Sequence, residues 1–246
     1  MRIAGIALMF ALSAVPSRAQ DVPLVADLSS HLVAITSGFT GTDILLFGAT
    51  DGPGDVVVVV RGPSGDIGIR RKERLGPIWV NASSVTAQDA PSYYRMASSR
   101  PLGEFVSDAL KERYQLGLAN LRINASDENF SAEEMAQFRS ALVRLKTADG
   151  LYSEELGSVN MMSNRLFRTE LHFPANVPTG TYLVEVYLFR EGAVTSAEIV
   201  PFTVSKLGVG ADISDFSQNY SALYGLLSIL MAIAAGYAAS VAFRRV

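Results

Sequence analysis

The sequence predicts a mainly β protein, with immunoglobulin-like β-sandwich regions, a two-helix insertion and one transmembrane helix near the C-terminus. Two observations support this fold class. Short apolar segments with a period of two alternate with glycine and proline turns in both halves of the chain, which is typical of a β-sandwich. An uncharged apolar stretch over residues 222–243 is also long enough to cross a bilayer.

The N-terminal residues have the order of a secretory signal peptide. Arg2 precedes an apolar run over residues 3–12, and Ser17 and Ala19 are small residues at the spacing of a cleavage site. The run is shorter than the ~20 residues that a spanning helix needs. We therefore expect residues 1–19 to be a signal peptide cleaved after Ala19, with an uncleaved anchor as the alternative.

Residues 20–100 are predicted to form an N-terminal β-sandwich region. Turns rich in glycine and proline separate five predicted strands, which cover residues 32–37, 43–47, 55–61, 66–71 and 78–81. Residues 56–60 are five consecutive valines. Because such a run would promote aggregation at an exposed sheet edge, we expect it to form a central strand that is covered on both faces.

A helical insertion is predicted for residues 101–150, where the apolar period changes from two to 3.6. The first helix starts at the beginning of this segment. The second starts with the capping-box spacing of Ser131 and Glu134 and ends at Gly150. Four apolar residues at helical spacing form its predicted buried stripe, namely Met135, Phe138, Leu142 and Leu145.

Strands resume in a C-terminal β region, residues 151–206. Apolar and polar residues alternate over residues 167–173, which predicts a half-buried strand. The next predicted strand follows a turn at residues 178–180, and a final strand covers residues 197–205. The strand after the turn has one apolar face, formed by Tyr182, Val184, Val186 and Leu188.

The C-terminal segment is predicted to anchor the protein. Residues 207–219 are a linker without periodicity, residues 220–243 form the transmembrane helix, and residues 244–246 are a tail. Arg244 and Arg245 follow the span, so the positive-inside rule places the tail in the cytoplasm. We expect a single-pass protein of a bacterial inner membrane, with the bulk of the chain in the periplasm.

The composition excludes several kinds of chemistry. The net charge is −3, which gives no reason to expect nucleic acid as a partner. The chain has no cysteine, which excludes thiol redox exchange, Cys-ligated zinc and cysteine nucleophiles. His31 and His172 are far apart in sequence and belong to no recognisable metal or nucleophile motif. We therefore assign no catalytic, cofactor-binding or metal-binding residue.

Seven short strings carry a family resemblance. The strings are ITSGFTG at 35–41, LLFGA at 45–49, VRGP at 60–63, RRKER at 70–74, IWVN at 78–81, PSYY at 91–94 and ASSRPL at 97–102. Together they resemble an uncharacterised family of transmembrane proteins of alphaproteobacteria, Alph_Pro_TM, over most of the chain. The resemblance implies a bacterial periplasmic domain and an association with sulfite-exporter-like permeases of the TauE/SafE type, and it supplies no catalytic residue.

The candidate binding surface is a cluster of basic and aromatic residues in the N-terminal β region. Arginine binds oxyanions through paired hydrogen bonds, and aromatic rings stack on guanidinium groups. We therefore predict a surface for an oxyanion or an acidic partner. The alternative is a strand edge on which Arg and Lys prevent aggregation. The surface consists of Arg61, Arg70, Arg71, Lys72, Arg74, Trp79, Tyr93, Tyr94 and Arg100.

Small residues recur at four-residue steps along the transmembrane segment. Such a stripe lets a second helix approach closely, which favours a membrane partner, either a permease or another copy of the chain. The residues of this stripe are Ser228, Ala232, Gly236 and Ser240.

The leading functional prediction is a non-enzymatic, membrane-anchored accessory or binding protein. It would work with an inner-membrane permease of the sulfite or small-anion exporter type. One alternative is a periplasmic module that binds an oxyanion, a peptide or a glycan. The other is an envelope hydrolase or transferase whose site has no recognisable motif.

Overall fold

A computed structural model describes residues 23–125, 130–207 and 216–243. The predicted signal peptide, most of the predicted linker and the tail lie outside these residues. The helices are α1 (Asp108–Tyr114), α2 (Ala132–Ala148) and α3 (Ser221–Phe243), with short 3-10 turns at Leu102–Glu104 and Leu118–Asn120. The strands are β1 (Leu24–Leu28), β2 (Leu32–Ile35), β3 (Gly41–Thr50), β4 (Asp55–Arg61), β5 (Ser64–Leu75), β6 (Ile78–Pro91), β7 (Tyr94–Ser98), β8 (Asn124–Ala125), β9 (Gly157–Ser158), β10 (Asn160–Met162), β11 (Leu166–Pro174), β12 (Gly180–Arg190) and β13 (Ala193–Lys206).

Two sheets pack face to face around the main core. Their strand orders are β1-β3-β11-β10 and β2-β13-β12-β4-β7-β9. The rings of Phe173 on β11 and Phe202 on β13 meet between the sheets, with their centroids 5.0 Å apart. Both sheets take strands from both predicted β regions, so these regions share one core. The mainly β fold class is confirmed, and the immunoglobulin-like topology stays a prediction.

The five-valine strand has the central position that the sequence predicts. β4 pairs with β12 on one side and with β7 on the other, and residues 56–60 are all buried. The helical insertion covers the outer face of this sheet. The rings of Tyr187 and Phe189 on β12 contact Tyr114 of α1 and Phe105, with centroid distances of 5.0 and 5.5 Å.

The long hairpin of β5 and β6 leaves the sandwich and joins β8 in a third sheet, β5-β6-β8. Sequence reasoning placed only residues 66–71 and 78–81 in strands, whereas β5 continues to Leu75 and β6 to Pro91. A second, smaller core joins this sheet to α2. It contains Ile69 and Val85 from the hairpin and Phe138 and Leu142 from the helix, all buried.

Helix α2 begins as predicted, because both hydrogen bonds of the Ser131 and Glu134 capping box are present. Its buried stripe is shorter than predicted. Phe138 and Leu142 are buried, but Leu145 is 54% exposed. The part of β5 that lies opposite Leu145 is basic rather than apolar, so it offers no apolar cover.

Helix α3 matches the predicted transmembrane segment. It is 23 residues long, which at ~1.5 Å per residue gives about 35 Å, more than the hydrocarbon core of a bilayer. The candidate span, residues 221–241, has a mean hydropathy of 1.8, and none of it is buried against the rest of the described chain. The helix therefore presents apolar side chains in all directions, as a helix in lipid does.

We expect the close contacts of β3 with its sheet neighbours β1 and β11 to tolerate no side chain at Gly48. A Cβ at this position would overlap the ring of Phe167 and the carbonyl oxygen of Val25. Gly48→Ala should lower the free energy of unfolding by about 1–3 kcal/mol, because overpacked cores must shift. Chemical denaturation of the full-length protein in detergent measures this change.

The matched control is Gly68 on β5, where an added Cβ would have no atom within 4 Å. Gly68→Ala should leave the free energy of unfolding unchanged or raise it by about 0.5–1 kcal/mol, since alanine loses less backbone entropy on folding. Equal effects of the two substitutions would contradict the close contacts of Gly48 with β1 and β11.

Candidate functional site

The tip of the β5–β6 hairpin is a tight two-residue turn at Gly76 and Pro77. Gly76 has φ +64°, and proline fixes a negative φ at the next position, a combination that fits a type II′ turn. Arg74 Nε donates a hydrogen bond to the carbonyl oxygen of Gly76 at 3.0 Å. Arg74 is also the cross-strand partner of Trp79. The turn therefore places Arg74 and Trp79 on the same face of the hairpin tip.

A groove of about 440 Å³ lies between β5 and α2. Four cationic residues line it, of which Arg70, Arg71 and Lys72 come from β5 and Arg144 comes from α2. The apolar part of the lining comes from both elements and consists of Ile69, Phe138, Ala141 and Leu145. The groove therefore combines a concentration of positive charge with an apolar floor.

The groove cations differ in their partners. Within the described ranges, no carboxylate forms an ion pair with Arg70, Lys72 or Arg144. Arg71 lies close enough to Glu134 for its positive charge to affect the pKa of the carboxyl group. The pKa of the Glu134 carboxyl is lowered, first by the backbone N–H of Ser131, then by the Ser131 hydroxyl, and further by the positive charge of Arg71.

β5 is an edge strand of its sheet, so the alternative explanation of its basic residues applies to the observed structure. Positive charge on an edge prevents pairing with another chain. That explanation covers Arg70, Arg71 and Lys72. It does not cover Arg144, which lies on the helix and faces the same groove.

Arg61 does not belong to this surface, contrary to the sequence prediction. It ends β4 on the sheet face that the helical insertion covers, where it forms an ion pair with Glu185 and donates from Nη2 to the carbonyl oxygen of Tyr114 at 2.9 Å. The two side chains are only 17% and 13% exposed. Burial opposes the charge of Arg61, but the adjacent Glu185 carboxylate outweighs it and raises the pKa of the guanidinium.

Tyr93, Tyr94 and Arg100 are also placed elsewhere. Both tyrosines are fully buried in the main core. Tyr93 packs against Phe173 and Tyr182 between the sheets, and Tyr94 packs against Tyr152 on the other face of its strand. Tyr94 donates its hydroxyl to the carbonyl oxygen of Gln115 at 2.7 Å. Arg100 forms an ion pair with Asp55 at the start of β4, which is the end of the strand remote from the hairpin. Of the predicted surface residues, five therefore lie together on the β5–β6 hairpin, namely Arg70, Arg71, Lys72, Arg74 and Trp79.

Sequence reasoning missed the contribution of α2 to this site. Gln137, Ala141, Arg144 and Leu145 line the groove. Their spacing of three and four residues puts them on one helical face, which is a detectable signal. The signal does not reveal which strand lies opposite, because that pairing is a long-range contact.

Comparison with known families agrees with the span and the resemblance. The family model described as "Putative transmembrane protein (Alph_Pro_TM)" matches residues 23–245, which is most of the chain. The chain belongs to this family. This Alph_Pro_TM member is a membrane protein with one candidate C-terminal transmembrane helix, residues 221–241. A comparison with curated proteins finds no match.

The two histidines of this Alph_Pro_TM protein form separate surface pairs. His172 Nδ1 lies 2.7 Å from Asp43 Oδ1, and His31 Nε2 lies 3.0 Å from Asp27 Oδ1. All four side chains are more than half exposed. In the described part of the chain, no group of three or more His, Cys, Asp or Glu residues is placed to hold a metal ion. We therefore assign no catalytic residue to either pair.

We expect the buried ion pair of Arg61 and Glu185 to affect stability and not ligand binding. Arg61→Ala should lower the free energy of unfolding by about 3–5 kcal/mol, because it leaves a buried carboxylate without its cation. Denaturant unfolding of the full-length protein measures this loss. Arg100→Ala, which breaks a more exposed pair, should have a much smaller effect. Similar losses in both variants would contradict the difference in burial.

Proposed function

We propose that this protein is a non-enzymatic, single-pass accessory protein that binds an anionic group in the groove between β5 and α2. The observation that carries this proposal is the convergence of Arg70, Arg71, Lys72 and Arg144 on one open groove. The four residues come from two elements that are distant in sequence. Protection of a strand edge requires positive charge on the strand alone.

The chemistry of the groove favours an oxyanion or a carboxylate. Guanidinium groups bind such groups through two parallel hydrogen bonds, and these charge-assisted bonds are the strong ones. The apolar floor of Ile69 and Phe138 lowers the local dielectric constant, which strengthens each bond. The family resemblance favours an inorganic oxyanion handled together with a permease of the sulfite-exporter type.

The proposed location is the inner membrane, with the β domain in the periplasm and the C-terminus in the cytoplasm. The signal-peptide order of residues 1–19 and the positive charges of Arg244 and Arg245 support this orientation. In that arrangement the groove meets anions outside the cytoplasm, close to any permease that associates with α3.

Anion binding is tested by calorimetric titration of the full-length protein in mild detergent with sulfite, sulfate and phosphate at constant ionic strength. We expect at least one of these anions to bind. Arg70→Ala, Arg71→Ala and Arg144→Ala should each weaken that binding about tenfold or more, because a hydrogen bond to a charged group contributes about 1.5–3 kcal/mol.

The matched control is Arg113→Ala, which removes an exposed arginine of α1 outside the groove. It should leave the affinity unchanged. Binding that survives both Arg71→Ala and Arg144→Ala would refute the groove as the anion site, and so would an equal loss of binding in the control.

The partner in the membrane is proposed to contact the stripe of Ser228, Ala232, Gly236 and Ser240. A Cβ added at Gly236 would have no atom within 4 Å, so leucine there does not disturb the isolated helix. Gly236→Leu should abolish crosslinked membrane complexes of the full-length protein, because small residues permit close helix packing. Ile233→Leu is the control of similar bulk at a site outside the stripe. Complexes that survive Gly236→Leu would eliminate this interface.

A further inference from the structure

The tip of the β5–β6 hairpin exposes two large apolar side chains. Ile78 and Trp79 are 57% and 68% exposed, since both lie beyond the second core that α2 forms with the hairpin. Protection of the strand edge does not explain them, because exposed apolar groups promote association whereas edge charges prevent it. These two residues therefore suggest contact with an apolar phase or partner.

The hairpin leaves the sandwich at the same end as the chain that leads to the membrane. β4 and β13 both pair antiparallel with β12, so the end of β4 and the end of β13 lie at the start of β12. Gly180 at that start is paired with Val204, two residues before β13 ends at Lys206. A Cβ on Gly180 would lie 2.7 Å from Cγ of Pro63, the residue just before β5. The base of the hairpin and the start of the membrane tether are therefore close neighbours.

The lengths of the two segments are compatible with contact between the hairpin tip and the bilayer. Fourteen residues, 207–220, separate β13 from α3, and residues 216–219 among them are helical. The tether therefore reaches at most about 40 Å at ~3.5 Å per extended residue and ~1.5 Å per helical residue. β5 has 12 residues and is about 40 Å long at ~3.3 Å per residue. The hairpin is therefore long enough to cover most of the distance that the tether allows between the sandwich and the bilayer surface.

We propose that the hairpin tip, defined as Arg74, Ile78 and Trp79, docks into the interfacial layer of the bilayer that holds α3. Tryptophan prefers the membrane–water interface, where its ring meets acyl chains and its N–H meets polar groups. Arg74 lies opposite Trp79 on the hairpin and carries the charge that pairs with headgroup phosphates. The tether keeps the tip at high effective concentration near the surface, so a small apolar area is sufficient.

The docked tip gives the groove a defined orientation beside the membrane. Arg70, Arg71 and Lys72 lie on the same strand, two to four residues before Arg74 of the tip. Anion binding in the groove and docking of the tip use different residues. Failure of one proposal therefore leaves the other standing.

The chain's only tryptophan is Trp79, so its fluorescence reports on the tip alone. The full-length protein is reconstituted into vesicles of phosphatidylethanolamine and phosphatidylglycerol, with and without bromine atoms on the acyl chains. We expect the bromolipids to quench more than half of the Trp79 emission. We also expect iodide in the aqueous phase to quench Trp79 less in vesicles than it quenches free tryptophan.

Two variants keep the indole and weaken the docking. Ile78→Ser and Arg74→Glu should each reduce the bromolipid quenching and increase the iodide quenching. Ile199→Ser, at another exposed apolar residue on β13, should match the unmodified protein. Trp79 that is unquenched by bromolipids and fully open to iodide would refute the proposal, as would bromolipid quenching that both tip variants leave unchanged.

Discussion

The structure depends on the need to cover both faces of the five-valine strand β4. Five buried valines in succession leave no polar face that water can solvate, so the strand is stable only inside three layers. The sheet that contains β3 and β11 covers one face. The other face is covered by the first part of the helical insertion, through the contacts of Phe105 and Tyr114 with β12.

As a result, the groove between β5 and α2 lies outside the main core. The insertion covers the sandwich with its first half and passes its second half, α2, to the hairpin, where a small core of Ile69, Val85, Phe138 and Leu142 forms. The cationic residues of the groove therefore lie where the hairpin and α2 meet, outside the sandwich. Binding sites on such excursions can vary while the core stays constant.

Membrane attachment and the hairpin are linked by strand order. Because β12 pairs with both β4 and β13, the hairpin and the tether begin at one end of the sandwich. This adjacency makes the bilayer surface part of the environment of the hairpin. A membrane anchor in this fold thus influences which ligands and partners the basic surface meets.

The sequence by itself determined the features that depend on local pattern. The valine run between turn signals predicted β4, and periodicity predicted β11 and α2. The capping box marked the start of α2, and apolar length identified the α3 span. Each of these signals lies within one continuous segment. Only the tertiary structure decided which residues share a site. It buried Arg61 and Tyr93 and it placed Arg144 and Arg71 in one groove, because burial and convergence arise from strand pairing and packing between segments that are distant along the chain.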